Sequence, residues 1–253
     1  MGIIEIENNS FACRRENDFA VITLKEQAMK ILATVRAKEE LMSVLSSIEN
    51  ESDIKGLAVI DSVEYPGDTE YKHFLEDLLE GRLHEGKIRY FQIYQTSIHQ
   101  FLSIIFNFSV PIVSGMNGNM APEDFGIILA FDFRLATEKT TFMFPNLHLG
   151  FPPSGVLSYL LIQNIGRFKA FDLLLTKSYI SSVEAFDLGL ITQLVSEEEL
   201  EYQCIEKLKE MSNFPSYAIS ETRRLLQPDL SKVEKHIDAT LESSLRNLHL
   251  MKA

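Results

Sequence analysis

Val110-Pro-Ile-Val-Ser-Gly-Met-Asn-Gly118, Pro122-Glu-Asp124, Asp132-Phe-Arg-Leu-Ala136, Phe142-Met-Phe-Pro145 and Leu149-Gly150 follow one another in the middle of the chain. In the first, proline can only open a strand or sit on a sheet edge, so Val110–Val113 reads as a strand start. Pro122 suits the first position of a helix, and Glu123 and Asp124 suit the positive end of its macrodipole. That helix is predicted to run to about Phe131. Phe133–Ala136 and Thr141–Phe144 read as strands. Gly150-Phe-Pro-Pro-Ser-Gly155 has loop chemistry and precedes an apolar helix from Val156 to Ile165.

Toward the N-terminus, Phe19–Leu24 reads as a strand, and Leu41, Val44, Leu45 and Ile48 have the spacing of a helix burying one face. Gly56–Ile60 is a continuous apolar run, the pattern of a strand covered on both sides, and it leads into a polar turn from Asp61 to Asp68. Thr69–Gly86 is charged and lacks a clean period, which predicts a helix with a mobile surface loop. Ile98, Phe101, Leu102 and Ile105 recover helical spacing. Toward the C-terminus, Phe171–Leu175 and Val183–Leu188 read as short amphipathic helices. After Glu197 the chain reads as helical, with breaks at Pro215 and Pro228. A β-α-β order of this kind predicts a layered α/β fold whose sites lie at the C-terminal ends of parallel strands.

The chain has 253 residues, 45% hydrophobic and 24% charged, enough for one large domain with a substantial core. Its formal charge of -12 opposes nucleic acid and anionic lipid, so an anionic ligand must be captured by local cations and helix N-termini. Cys13 and Cys204 are distant from one another and belong to no metal-ligand motif, which predicts neither disulfide nor zinc and a reducing cytoplasm. Met1–Glu7 does not read as a signal peptide, and no run has the length of a membrane span. The 17 phenylalanines read chiefly as core.

Read as a series, the quoted motifs resemble the core of the crotonase (enoyl-CoA hydratase/isomerase) family. The resemblance continues through Gly166-Arg-Phe-Lys-Ala170, Leu173–Thr176, Ile180–Ala185 and Gly189-Leu-Ile191. It implies an α/β fold of the Clp/crotonase type, a spiral of ββα units over 1–195 followed by a helical trimerisation region over 196–253. It also implies an acyl-CoA thioester as ligand, with no cofactor beyond the coenzyme A of the substrate, and assembly as a homotrimer or a dimer of trimers. In this family two backbone N–H groups stabilise a thioester enolate. By resemblance these are the amides of Gly67 and Glu123, and one such donor is commonly worth about 3 kcal/mol of barrier.

The chain departs from the family at the acid/base positions. Pro122-Glu123-Asp124 stands where a glycine-rich turn is usual, and Gly126 and Asn146 stand where hydratases carry two glutamates. Neither Gly126 nor Asn146 can shuttle a proton at neutral pH. The candidates to substitute are Asp124, Glu123, Glu64, Tyr65 and Ser154. Asp124 reads either as a base raised by burial or as a solvated helix-capping carboxylate, and Ser154 either as a functional group or as the N-cap of the next helix. His148 would share a strand face with Asn146 if that stretch were extended, and otherwise reads as exposed. His73 and His84 read as surface groups. Lys25 and Lys30 lie where relatives often hold the adenine and phosphate end of coenzyme A, and Tyr65 is a further candidate to contact coenzyme A. Three functions remain open: an acyl-CoA enzyme working through an enolate, a catalytically silent acyl-CoA-binding or structural subunit of the same fold, and a Clp-like serine peptidase. The last lacks a serine-centred motif with a placed histidine.

Overall fold

The computed structural model describes residues 5–83, 88–153 and 155–252. Its elements begin with β1 (Ile6–Glu7), β2 (Phe11–Glu16), β3 (Phe19–Leu24), α1 (Ala28–Ala33), α2 (Val35–Asn50), β4 (Gly56–Asp61), α3 (Asp68–Leu83) and α4 (Ile88–Asn107). They continue with β5 (Ile112–Met116), β6 (Asn119–Met120), α5 (Pro122–Ile128), β7 (Phe133–Thr137), β8 (Thr141–Met143) and α6 (Leu157–Thr176). β9 (Tyr179–Ser181), α7 (Ser182–Asp187), β10 (Gln193–Val195), α8 (Leu200–Ser212), α9 (Ser216–Leu226) and α10 (Leu230–Lys252) complete the chain.

One sheet has the order β1-β2-β3-β4-β5-β7-β10, and a smaller one has the order β6-β8-β9. From β3 to β10 the neighbours in the large sheet are parallel, while β1, β2 and β3 are antiparallel. The ββα order is visible twice: β5-β6-α5 and then β7-β8-α6, the first strand of each pair joining the large sheet and the second the small one. The α/β fold expected from the sequence is therefore present.

Alternation along β4 explains how both faces are covered. Leu57 and Val59 face the cluster formed with Leu41, Leu45 and Ile48 of α2 and Phe101 and Ile105 of α4. Ala58 and Ile60 face the other way, onto Leu200, Cys204, Ile205 and Leu208 of α8. Period-two geometry then places Asp61 on the α2/α4 side, at the strand's C-terminal end. Truncating a leucine in such a core costs about 2–5 kcal/mol.

Several boundaries differ from expectation, each for a local reason. β5 starts after Pro111, whose carbonyl accepts a hydrogen bond from Leu57 N at 3.0 Å, so the proline edges the sheet without needing to donate. Phe171–Leu175 is not a separate short helix. It lies in the second half of α6, which is kinked at Gly166 (φ 77°, ψ 160°). The stretch from Asn146 to Gly150 is a turn and not a strand, closed by Leu149 N to Pro145 O at 3.0 Å and Phe151 N to Asn146 O at 2.8 Å. His148 therefore shares no strand face with Asn146. It is exposed and lies 3.1 Å from Ser178 Oγ.

Candidate functional site

The site lies where the β4–α3 turn meets the N-terminus of α5 and the turn after β8. Pro66 has no N–H, so Gly67 supplies the first amide after it. Gly67 adopts φ 92°, a left-handed conformation open to glycine, and its carbonyl accepts from Tyr71 N at 3.0 Å. The turn is pinned from below by Glu64. Its Oε2 accepts from Asn119 N at 3.1 Å and from Asn119 Nδ2 at 2.9 Å, and its carbonyl accepts from Gln27 Nε2 at 2.8 Å. The same carboxylate, through Oε1, occupies the space that a Cβ on Gly118 would need. Glu64 thus serves as a clamp for the turn.

α5 begins as expected, with Pro122 in the first turn and Ala121 at the cap position. First-turn N–H groups have no acceptor within their own helix, so the amide of Glu123 belongs to the electropositive end. The Glu123 side chain is buried, and its Oε1 accepts from the hydroxyl of Tyr71 at 2.8 Å. Asn146 Nδ2 in turn donates to the Tyr71 oxygen at 3.0 Å. Tyr71 is completely buried, so this polar chain lies in the interior. One residue therefore bonds the Gly67 turn through its backbone and Glu123 through its side chain. A cavity of about 10 Å³ borders Glu123, walled by Leu75, Leu78, Tyr94, Phe151, Leu241 and Ser244.

Asp124 points elsewhere. Its Oδ1 accepts from Met29 N at 3.0 Å, and its carboxyl also bonds the Ala28 amide, so it caps α1, whose own cap residue Gln27 makes no such bond. It caps a helix, as one of its two readings had it, but a different helix from its own, and it does so buried and not solvated. Burial first, and then the nearby Asp61, raise its pKa well above the ordinary carboxylate range. Asp61 is likewise pushed up to about 6 by burial, only partly offset by the hydrogen bond from Val63 N. Asp61 Oδ2 has no hydrogen-bond partner among the described residues. The two carboxyls border one cavity of about 30 Å³ that is otherwise apolar.

Gly126 cannot be replaced by an acid without moving backbone, because a Cβ there would lie 2.9 Å from Leu157 N at the start of α6. Tyr65 donates its N–H to Asn119 O at 2.8 Å and its hydroxyl to Asp68 Oδ1 at 2.8 Å. Burial, followed by Asp68, raises its pKa. Lys25 is paired with Glu7 at 2.8 Å and Lys30 with Glu70 at 2.7 Å. Such surface pairs are worth at most about 1 kcal/mol, so a phosphate can compete for either cation. His73 is exposed. Ser154 and His84 lie outside the described residues.

The structure thus brings Gly67, Glu123 and Asn146 together around Tyr71, with Tyr65 beside them, its ring centroid 5.7 Å from that of Tyr71. It sends Asp124 to α1 and leaves Lys25 and Lys30 at the surface. Sequence reasoning passed over Tyr71 and Asp61. Tyr71 falls in a segment without periodicity, but Asp61 was detectable as the next same-face position after Leu57 and Val59.

A model of the enoyl-CoA hydratase/isomerase family matches residues 14–249. The protein named "Probable enoyl-CoA hydratase echA12" of Mycobacterium tuberculosis is 31% identical over 132 residues, covering 51% of this chain and 46% of that protein. Enoyl-CoA delta isomerase 2 of Rattus norvegicus is 26% identical over 130 residues, covering 51% of this chain and 33% of that protein. The matched stretch thus spans less than half the length of these curated relatives. Among solved structures, an enoyl-CoA hydratase from Bacillus halodurans superposes with a TM-score of 0.75 at 24% identity, covering 93% of this chain and 94% of that one. An enoyl-CoA hydratase/isomerase from Mycobacterium paratuberculosis gives 0.75 at 16% identity, covering 95% and 94%. At these identities the structures speak to the fold, which is the crotonase fold, and the family model speaks to descent: this chain belongs to the enoyl-CoA hydratase/isomerase family.

Proposed function

We propose that this chain binds an acyl-CoA thioester and stabilises its enolate between the backbone amides of Gly67 and Glu123. The observation that supports this reading is Tyr71, which hydrogen-bonds the Gly67 carbonyl through its backbone at 3.0 Å and the Glu123 carboxylate through its hydroxyl at 2.8 Å and so ties the two turns to one another. Preorganised, water-excluded donors are what a developing oxyanion requires. Lys25 and Lys30 are the local cations for the coenzyme A phosphates, and no separate cofactor is invoked. Hydration by a pair of glutamates is disfavoured, because Gly126 has no side chain and no room for one, while the amide of Asn146 is committed to Tyr71.

That last observation also favours a second reading, a catalytically silent acyl-CoA-binding subunit of the same fold. The two separate on thermal denaturation with acetyl-CoA and crotonyl-CoA, followed by an absorbance assay on crotonyl-CoA. A ligand at a hundred times its dissociation constant stabilises the fold by about 2.7 kcal/mol, a readable rise in Tm. The enzymatic reading predicts that rise together with turnover, and binding without turnover would assign the silent role. If neither ester shifts Tm, both readings fall.

A further inference from the structure

Resting on the thioester site proposed above, we infer that Glu123 has a second role: its carboxylate, held by Tyr71 and Asn146, is the base that removes a proton from the α-carbon of the bound acyl group. Two of the other acids near the site are committed elsewhere, and Asp61 faces a different cavity, the apolar one of about 30 Å³ that it shares with Asp124. Asp124 caps α1 through Met29 N, and Glu64 clamps Asn119, with both of those hydrogen bonds made by one carboxylate oxygen. The family's two usual base positions hold Gly126 and Asn146, and neither side chain can accept a proton.

Glu123 combines what the others lack. It lies in the first turn of α5, where its own N–H faces the developing oxyanion, and its carboxylate is buried within 2.8 Å of the Tyr71 hydroxyl. Asn146 Nδ2 donates to Tyr71, and Tyr71 donates to Glu123, so every donor in the chain points toward the carboxylate. That direction holds the carboxylate in one place, with the Tyr71 hydroxyl aimed at one of its oxygens and Asn146 aimed at Tyr71. Leu75, Leu78 and Phe151 line the small cavity, about 10 Å³, that borders it.

In the step itself the α C–H bond breaks and its proton passes to a Glu123 carboxylate oxygen, giving the neutral acid. The C–H electron pair moves into the thioester as an enolate, whose oxygen faces the amides of Gly67 and Glu123. Return of the proton regenerates both partners. In D₂O the returned hydron is deuterium, so the α position exchanges without any net reaction. Tyr71 keeps its proton throughout and acts as a positioning residue.

The test is proton NMR of butyryl-CoA in D₂O with the full chain, alongside calorimetric binding of the same ester. The wild-type chain is expected to bind and to exchange the α-protons. Glu123→Gln should bind comparably and lose about 100-fold or more of the exchange rate. Tyr71→Phe should retain exchange with the midpoint of its pH profile moved upward, because a carboxylate that loses a donated hydrogen bond becomes harder to ionise. A purely structural tyrosine would lower the rate without moving that midpoint. Binding with no exchange in the wild-type chain overturns the inference and leaves the thioester site standing, as does undiminished exchange in well-folded Glu123→Gln. Absence of binding removes the site and the inference together.

Discussion

Moving a carboxylate from water into an apolar cavity raises the free energy of its charged form, so Asp61 and Asp124 hold protons in the folded chain at pH values where the unfolded chain has released them. For Asp61 the folded pKa is about 6 against an ordinary 3.8. Between those values the folded state binds more protons than the unfolded one, so stability falls as pH rises through that window. Two units amount to about 3 kcal/mol. Asp61→Asn keeps an acceptor for Val63 N and turns the unpartnered oxygen into a donor facing the cavity shared with Asp124. Urea denaturation should find the variant more stable than the wild-type chain at pH 7.5, with the gap closing at pH 4.5; a gap of the same size at both would contradict this account. At this scale the sequence was legible where chemistry is local and opaque where partners are remote. Asp124 was legible as a capping carboxylate, but the helix it caps lies 95 residues away. Tyr71 finds Glu123 at 52 residues and Asn146 at 75, and no spacing rule reaches that far.

Between elements, close approach decides what a position can hold. α5 and α6 meet at Gly126, where an added Cβ would sit 2.9 Å from a backbone nitrogen, which cannot rotate away. Gly126→Ala is therefore expected to cost about 1–3 kcal/mol by overpacking. Gly67→Ala meets no neighbouring atom within 4 Å and should cost about 1–2 kcal/mol through its left-handed backbone. Equal stability of Gly126→Ala and the wild-type chain in chemical denaturation would mean that α6 yields freely. α9 is anchored through Arg223, whose Nε reaches both Asp132 oxygens at 2.9 and 2.8 Å. Its Nη2 donates to Ile105 O at 3.2 Å, and Nη1 donates to Phe108 O. Arg223→Met strands the carboxylate of Asp132 in a largely buried place, with Ile112 N at 2.7 Å as a remaining partner, and should cost about 3–5 kcal/mol. A loss below about 1 kcal/mol would show α9 to be held by apolar contacts. The major helices and the buried strand β4 were legible because their apolar patterns are long. β6, β9 and β10 have two or three residues each and exist through pairing with strands remote in sequence, so they leave no periodic trace.

Over the whole molecule, two helices carry several of the large apolar side chains that are exposed among the described residues. Phe168, Phe171 and Leu175 on the second half of α6, and Tyr217, Leu225 and Leu226 on α9 with Phe214 just before it, are all at least half exposed. If these side chains form one contiguous patch it would suit an association surface, and the expectation from the family resemblance is a trimer or a dimer of trimers. Light scattering should return a mass that is a multiple of three of the 28.8 kDa chain, reduced by Phe168→Lys with Phe171→Lys; a monomer at micromolar concentration would contradict this. Among the described residues no helix is long and apolar enough to cross a membrane. The proposed grip of two main-chain amides on one thioester oxygen can be measured by calorimetric comparison of acetyl-CoA with S-ethyl-CoA, which keeps the nucleotide, the pantetheine arm and the sulfur but lacks the carbonyl. Two hydrogen bonds of about 1 kcal/mol each predict roughly tenfold or greater weakening for S-ethyl-CoA. Equal affinity for the two would show that no amide pair contacts the carbonyl.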